Sequence, residues 1–195
     1  MNKDGITGRK SLGWKNANPK NTLGGGIIMP LLRCTQKLLK KLKVVPADTE
    51  DSDPSDSTLG DWYANVLRLD RKQCVLFVND WTLFSFIAVR VSLKPQIVKD
   101  AFLNRLNYVL IEEGFPPDKV LEVCEEYQDV GFAKTASRSV LGSMNDLTRM
   151  YEIHIDVDGG LDRCDMSALT AKVNRTPQKN LEWSYSIDIL ENHLS

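Results

Sequence analysis

Apolar residues recur at helical spacing after Pro95, where Ile97, Val98, Ala101, Phe102, Leu106, Val109 and Leu110 form one stripe and Gly114 supplies a stop. A second stripe, Val120, Leu121, Cys124 and Tyr127, follows Pro117, a residue suited to the first turn of a helix. Upstream, "WYANVLRLD" and "KQCVLFVND" are β-rich runs joined by a charged turn, and "WTLFSFIAVRV" follows an Asn79-Asp80 turn. That pattern predicts three consecutive antiparallel strands. "LLRCT" reads as a short strand whose Thr35 caps the helix "QKLLKKLKV", and "VGFAKT" as a strand before a helix capped by Ser137. Beyond "DGG" the pattern is less regular, with "AKVNRTP" as a turn signal, and no internal repeat is present. This order predicts an α+β domain, a mainly antiparallel sheet with helices packed on one face.

The helix after Ser137, within "KTASRSVLGSMNDL", is the most suggestive element. At 100° per residue Val140, Leu141, Met144, Leu147, Thr148 and Tyr151 share one arc, and Arg138, Gly142, Asn145 and Arg149 the opposite one. Lys134 lies just upstream and Asp146 borders the polar side. Glycine costs a helix interior roughly 1 kcal/mol relative to alanine, so either another backbone presses on Gly142 or a ligand does. Two arginines, an amide and a glycine gap on one face suit a phosphate or carboxylate. The competing reading is a solvated helix face.

Charge and termini modify this picture. The formal charge is −1, yet residues 1–28 carry +4, which leaves −5 for the rest. Rich in Gly, Asn and Lys and without an apolar period, residues 1–28 read as a flexible basic extension, and residues 29–195 as a single domain. An acidic, Ser-containing stretch over about 46–61, with Asp48, Glu50, Asp51, Asp53, Asp56 and Asp61, reads as a mobile loop. Cys34, Cys74, Cys124 and Cys164 lack C-x-x-C spacing, no secretory leader is evident, and no run approaches the ~20 apolar residues of a membrane span. Reduced cysteines in a cytoplasmic protein that does not enter membranes are the expectation.

"LRCTQKLLKKLKV", "LGDWYANVLRLDRKQCVLFVND", "TLFSF", "KTASRSVLGSMNDL" and "NRTP" together resemble the signature blocks of an uncharacterised bacterial domain family of unknown function. That family is related to the N-terminal region of some plasmid-type open-reading-frame proteins of mobile elements. The resemblance covers about residues 29–180 and implies no established chemistry. It raises the weight of residues 134–149 as a functional face.

Other chemistry is thinly supported. "EIHIDVDGG", read as a strand, puts Glu152, His154, Asp156 and Asp158 on one face; read as helix, only His154 and Asp158 align. As a calcium loop it has Ser167 where a bidentate glutamate is needed, and no metal or cofactor is expected. With only His154 and His193, and no G-x-S-x-G or phosphate-binding glycine loop, nucleophilic catalysis and nucleotide hydrolysis lack their parts. The "NRTP" turn, through Asn174 and Arg175, either completes a site near Arg138 or is a local Asx-type turn.

The first expectation is therefore a non-enzymatic binding or regulatory domain of a mobile-element or defence setting. It would bind an anionic ligand or nucleic acid through Lys134, Ser137, Arg138, Asn145, Arg149, Asn174 and Arg175. The alternative is an enzyme acting on a phosphate- or carboxylate-bearing substrate with Asp146 as acid/base. A third reading is a protein-interaction partner recognised by its acidic loop. Oligomeric state and strand order are left open by the sequence.

Overall fold

The computed structural model describes residues 29–47 and 57–195. Its elements run β1 (Leu31–Cys34), α1 (Gln36–Leu42), β2 (Trp62–Leu69), β3 (Lys72–Asn79), β4 (Ser85–Val89), α2 (Pro95–Glu112) and α3 (Pro117–Glu126). They continue with β5 (Gly131–Lys134), α4 (Arg138–Val157), α5 (Met166–Asn174), a 3-10 turn (Lys179–Leu181) and α6 (Ser186–Leu194). The predicted strand at residues 31–34, the three-strand meander and the helices beginning at Gln36, Pro95, Pro117 and Arg138 are all present. Thr35 and Ser137 cap their helices as expected, each side chain accepting a backbone N–H of the first turn.

The five strands form one sheet in the order β4-β3-β2-β1-β5. β2, β3 and β4 pair antiparallel, but β1 pairs parallel with both β2 and β5. The sheet is therefore mixed, a correction to the mainly antiparallel expectation. Parallel pairing needs a crossover, and α1 with the segment leading to β2 supplies it. β2 turns into β3 through Asp70 and Arg71, both at positive φ, a two-residue turn whose twist suits a hairpin. At the next turn the Asn79 side chain accepts from the backbone N–H groups of Trp81 and Thr82 and donates to the Leu59 carbonyl at 2.7 Å.

Helices cover both faces of the sheet, not one. Even-numbered β2 residues Trp62, Ala64 and Val66, with Val75, Phe77 and Phe86, face a core shared with α1, α2, α3 and α6. Its centre is aromatic, with Trp62 5.2 Å from Phe86 and 5.4 Å from Phe102 between ring centroids. Odd-numbered Tyr63, Leu67 and Leu69, with Cys74, Leu76, Val78 and Ile87, face a second core under α4 and α5. The central strands consequently bury both sides, which is why β3 ends in an unbroken buried run, Cys74 to Asn79. The fold is α+β, with helices on either side of a mixed sheet.

Candidate functional site

α4 turns Val140, Met144, Leu147, Tyr151 and Ile155 onto the sheet and leaves Arg138, Gly142, Asn145, Asp146 and Arg149 exposed. Lys134, the last residue of edge strand β5, is exposed just before the helix begins. The structure thus brings Lys134, Ser137 and Arg138 together at the start of α4 and aligns Asn145, Asp146 and Arg149 behind them. A Cβ added at Gly142 meets nothing within 4 Å, so no neighbouring backbone presses on it. The loop carrying the 3-10 turn lies beside this strip: Asn180 donates to the Ser143 hydroxyl at 2.7 Å and to the Ser139 carbonyl at 3.4 Å.

The first turn of α4 rests on a polar cluster that the sequence did not single out. The Tyr63 hydroxyl accepts from the backbone N–H groups of Ser137 at 2.8 Å and Ala136 at 3.4 Å. Arg33, beside Tyr63 in the β1–β2 register, donates through Nε to Asp61 Oδ2 at 2.7 Å; Asp61 is buried and Arg33 partly so. The other Asp61 oxygen accepts from the Leu31 backbone N–H at 3.0 Å. Asp80 stands next to Asp61, its backbone N–H bonded to the Asp61 carbonyl at 3.0 Å. Burial, and then the charge of Asp61, push the Asp80 carboxyl above its ordinary value, with Arg33 opposing. Burial likewise raises the Tyr63 phenol, against the two backbone donors and Arg33 that favour its ionised form.

Two signals in the sequence pointed to this cluster: a lone arginine inside the apolar run "LLRC", and aspartates flanking a symmetric hairpin at Asp61 and Asp80. The sequence pattern groups Asp61 with the acidic loop over about 46–61. In the structure it is a buried structural carboxylate, and Thr58 just before it is held to Glu126 through N–H and hydroxyl bonds of 2.6 Å each. Residues 1–28 and the rest of the acidic stretch, Asp48, Glu50, Asp51, Asp53 and Asp56, lie outside the described residues.

Asn174 and Arg175 do not join the α4 face. Asn174 is fully buried, its amide bonded to the backbone of Ser85. Arg175 is tied to Glu113 at the end of α2 by a 2.6 Å ion pair, which raises its pKa. "EIHIDV" continues α4 as helix, so Glu152, His154, Asp156 and Asp158 do not share a face. No group of three potential metal ligands occurs among the described residues. Cys34, Cys74 and Cys124 are buried thiols and Cys164 is half-buried; burial pushes Cys34 up to about 12. No helix among the described residues is long and apolar enough to cross a membrane.

No curated protein and no solved structure matches the chain. Residues 31–189 match a family described as a domain of unknown function, DUF6933, and the chain belongs to that family, as its sequence blocks implied.

Proposed function

We propose that the protein is a non-enzymatic binding or regulatory domain that takes an anionic ligand, with nucleic acid the preferred class, on the α4 face of Lys134, Arg138, Asn145 and Arg149. The observation that supports this reading is the state of the three cations. The ion pairs among the described residues engage Arg33, Lys72, Arg90, Lys99, Lys119 and Arg175, and none engages Lys134, Arg138 or Arg149. Exposed and unmatched on one strip, with an open glycine between them, they suit phosphate oxygens that approach from solvent. An open strip fits a ligand larger than itself better than a metabolite enclosed for turnover. The mobile-element or defence setting belongs to the same proposal by way of the sequence blocks, and the cytoplasmic location by way of the unpaired cysteines.

The test is titration of the full chain with labelled single- and double-stranded oligonucleotides at increasing salt. Three phosphate contacts give a log–log slope of about −2 to −3. Arg138→Ala and Arg149→Ala each weaken binding while leaving Tm unchanged. Affinity that is absent, or flat in salt, overturns the reading.

One observation favours an enzyme as the second reading: Asp80, half-buried, raised, and close to the Tyr63 phenol under the start of α4. On that reading the acid/base role falls to Asp80, because Asp146 is exposed on the outer side of α4. Oligonucleotide binding lost in Arg138→Ala supports the binding domain, whereas turnover of a phosphate- or carboxylate-bearing substrate that is lost in Asp80→Asn or Asp146→Asn supports the enzyme.

A further inference from the structure

Just after the 3-10 turn, two consecutive residues, Glu182 and Trp183, hold left-handed backbone, with φ of 54° and 67°. Bulky L residues rarely adopt that conformation, and glycine or asparagine is its usual occupant. Here a tryptophan adopts it, and no burial of the ring compensates, because Trp183 is 68 % exposed. Its ring meets no other ring and no cation among the described residues. Trp62, by contrast, is fully buried against Phe86 and Phe102, and Trp81 lies against His193. A loop that only had to reverse the chain has no need of a ring at this strained, solvent-facing position.

The loop is braced at both ends. The Gln178 carbonyl accepts from the Trp183 backbone N–H at 2.9 Å, and the Gln178 N–H donates to the Ser184 carbonyl at 3.0 Å. The Ser184 N–H donates in turn to the Leu181 carbonyl at 2.9 Å. Asn180 fastens the loop to α4 through the Ser143 hydroxyl and the Ser139 carbonyl, whose residues adjoin Gly142 and Arg138 in the chain. Trp183 is three residues from Asn180, so the two Cα atoms lie within about 10 Å of each other. The ring therefore belongs to a fixed surface beside the cationic strip. Lys179, exposed and without an ion pair among the described residues, adds a cation to the same loop.

We propose that the ligand of the α4 face is single-stranded nucleic acid, with one base stacked on the Trp183 ring and neighbouring phosphates on Arg138 and Lys179. The inference rests on the anion-binding reading of α4 and narrows it. Cations alone do not tell a single strand from a duplex, because both present phosphates. An exposed aromatic ring does, since a duplex keeps its base faces stacked inside and a single strand offers them. The reach from the Asn180 anchor to Trp183 corresponds to about three nucleotides at ~3.4 Å each. Asp146 and Glu182 are exposed acids of the same surface, which limits what charge alone supplies. Stacking does not depend on charge and carries the discrimination.

The test is an anisotropy titration of the full chain with a labelled DNA strand of about 12 nucleotides, and with the same sequence as a duplex. The single strand is expected to bind more tightly at the same salt. Trp183→Asn removes the ring and suits the left-handed backbone, so its Tm is no lower than the parent's. It is expected to weaken single-strand binding about 5- to 150-fold, the worth of one base–aromatic stack, and to leave duplex binding and the salt slope unchanged. Trp183→Phe restores most of the affinity. Unlabelled strand quenches the tryptophan emission of the parent and not that of Trp183→Phe. The stacking contact is overturned if Trp183→Asn binds the strand as the parent does, or if the duplex binds as tightly as the strand. In that event an Arg138→Ala variant that still loses affinity leaves the α4 anion site standing. A parent chain that binds neither strand nor duplex overturns both readings.

Discussion

The side-chain amide of Asn174 pairs with both backbone polar groups of Ser85, accepting its N–H at 2.8 Å and donating to its carbonyl at 2.8 Å. β4 is an edge strand, and Ser85 is its first residue. The amide occupies the place a sixth strand would take, satisfying the otherwise unmatched Ser85 N–H and sharing the carbonyl with the Tyr151 hydroxyl, which donates to it at 3.1 Å. Its oxygen also accepts from the Ser186 hydroxyl at 3.0 Å, which ties the start of α6 to the same point. Asn174→Ala leaves the Ser85 N–H without its acceptor in a buried setting and is expected to cost about 2–4 kcal/mol by denaturant unfolding. Oligonucleotide affinity per folded molecule is unchanged, because this residue of the "NRTP" turn anchors β4 and does not line the α4 face.

Such a role was hidden in the sequence because Asn174 and Ser85 are 89 positions apart, and a donor-rich turn looks the same whether it faces a ligand or a strand edge. Local elements were legible: the stripe from Val98 to Leu110, though not Ile97, which is exposed, and the caps at Thr35 and Ser137 rest on neighbours within four residues. What escaped is non-local. β1 and β5 are four residues each, too short to show which partner or direction they take. The two-sided covering of the sheet did leave a trace, since "CVLFV" is continuously apolar where a one-sided strand alternates. The exposed α4 face was legible because its period is local, while the Arg33, Asp61, Tyr63 and Asp80 cluster needs three strands in register before it exists.

Gly142 sits mid-helix with open space where a side chain would be, so helix propensity alone decides the effect of a methyl group. Gly142→Ala is expected to stabilise the protein by about 0.5–1 kcal/mol. For a chain of this size that is a rise in Tm of roughly 1–4 °C. If an anion approaches the α4 backbone at this gap, the same variant binds oligonucleotide more weakly. A more stable variant with undiminished affinity places the ligand away from Gly142.

Asp80 gives the protein a pH dependence of defined sign. Its carboxyl is raised from 3.8 by burial and by Asp61, so across the interval above that value the folded chain binds more protons than the unfolded one. Stability therefore falls as pH climbs through the interval, and the full penalty is present above it. Asp80→Asn removes the penalty. The variant is expected to melt higher than the parent at pH 7, and the gap to close below about pH 4. Paired thermal melts across that range check it, and a gap that persists at low pH assigns the difference to packing and not to the charge.

Tyr63 connects the buried cluster to the face proposed to bind. Its ring is 1 % exposed in the core beneath α4, and its hydroxyl receives the N–H groups of Ala136 and Ser137. Those donors belong to the start of a helix, where no intrahelical acceptor exists for them. Tyr63→Phe keeps the ring and removes the acceptor, so the expected cost is about 1–2 kcal/mol. The segment released carries Lys134 and Arg138, and looser placement of two cations makes ordering them on a phosphate more costly. Tyr63→Phe should therefore lower both Tm and oligonucleotide affinity, whereas Arg138→Ala lowers affinity alone. If Tyr63→Phe loses stability and keeps full affinity, the ligand engages α4 further along, at Asn145 and Arg149, and not at its first turn.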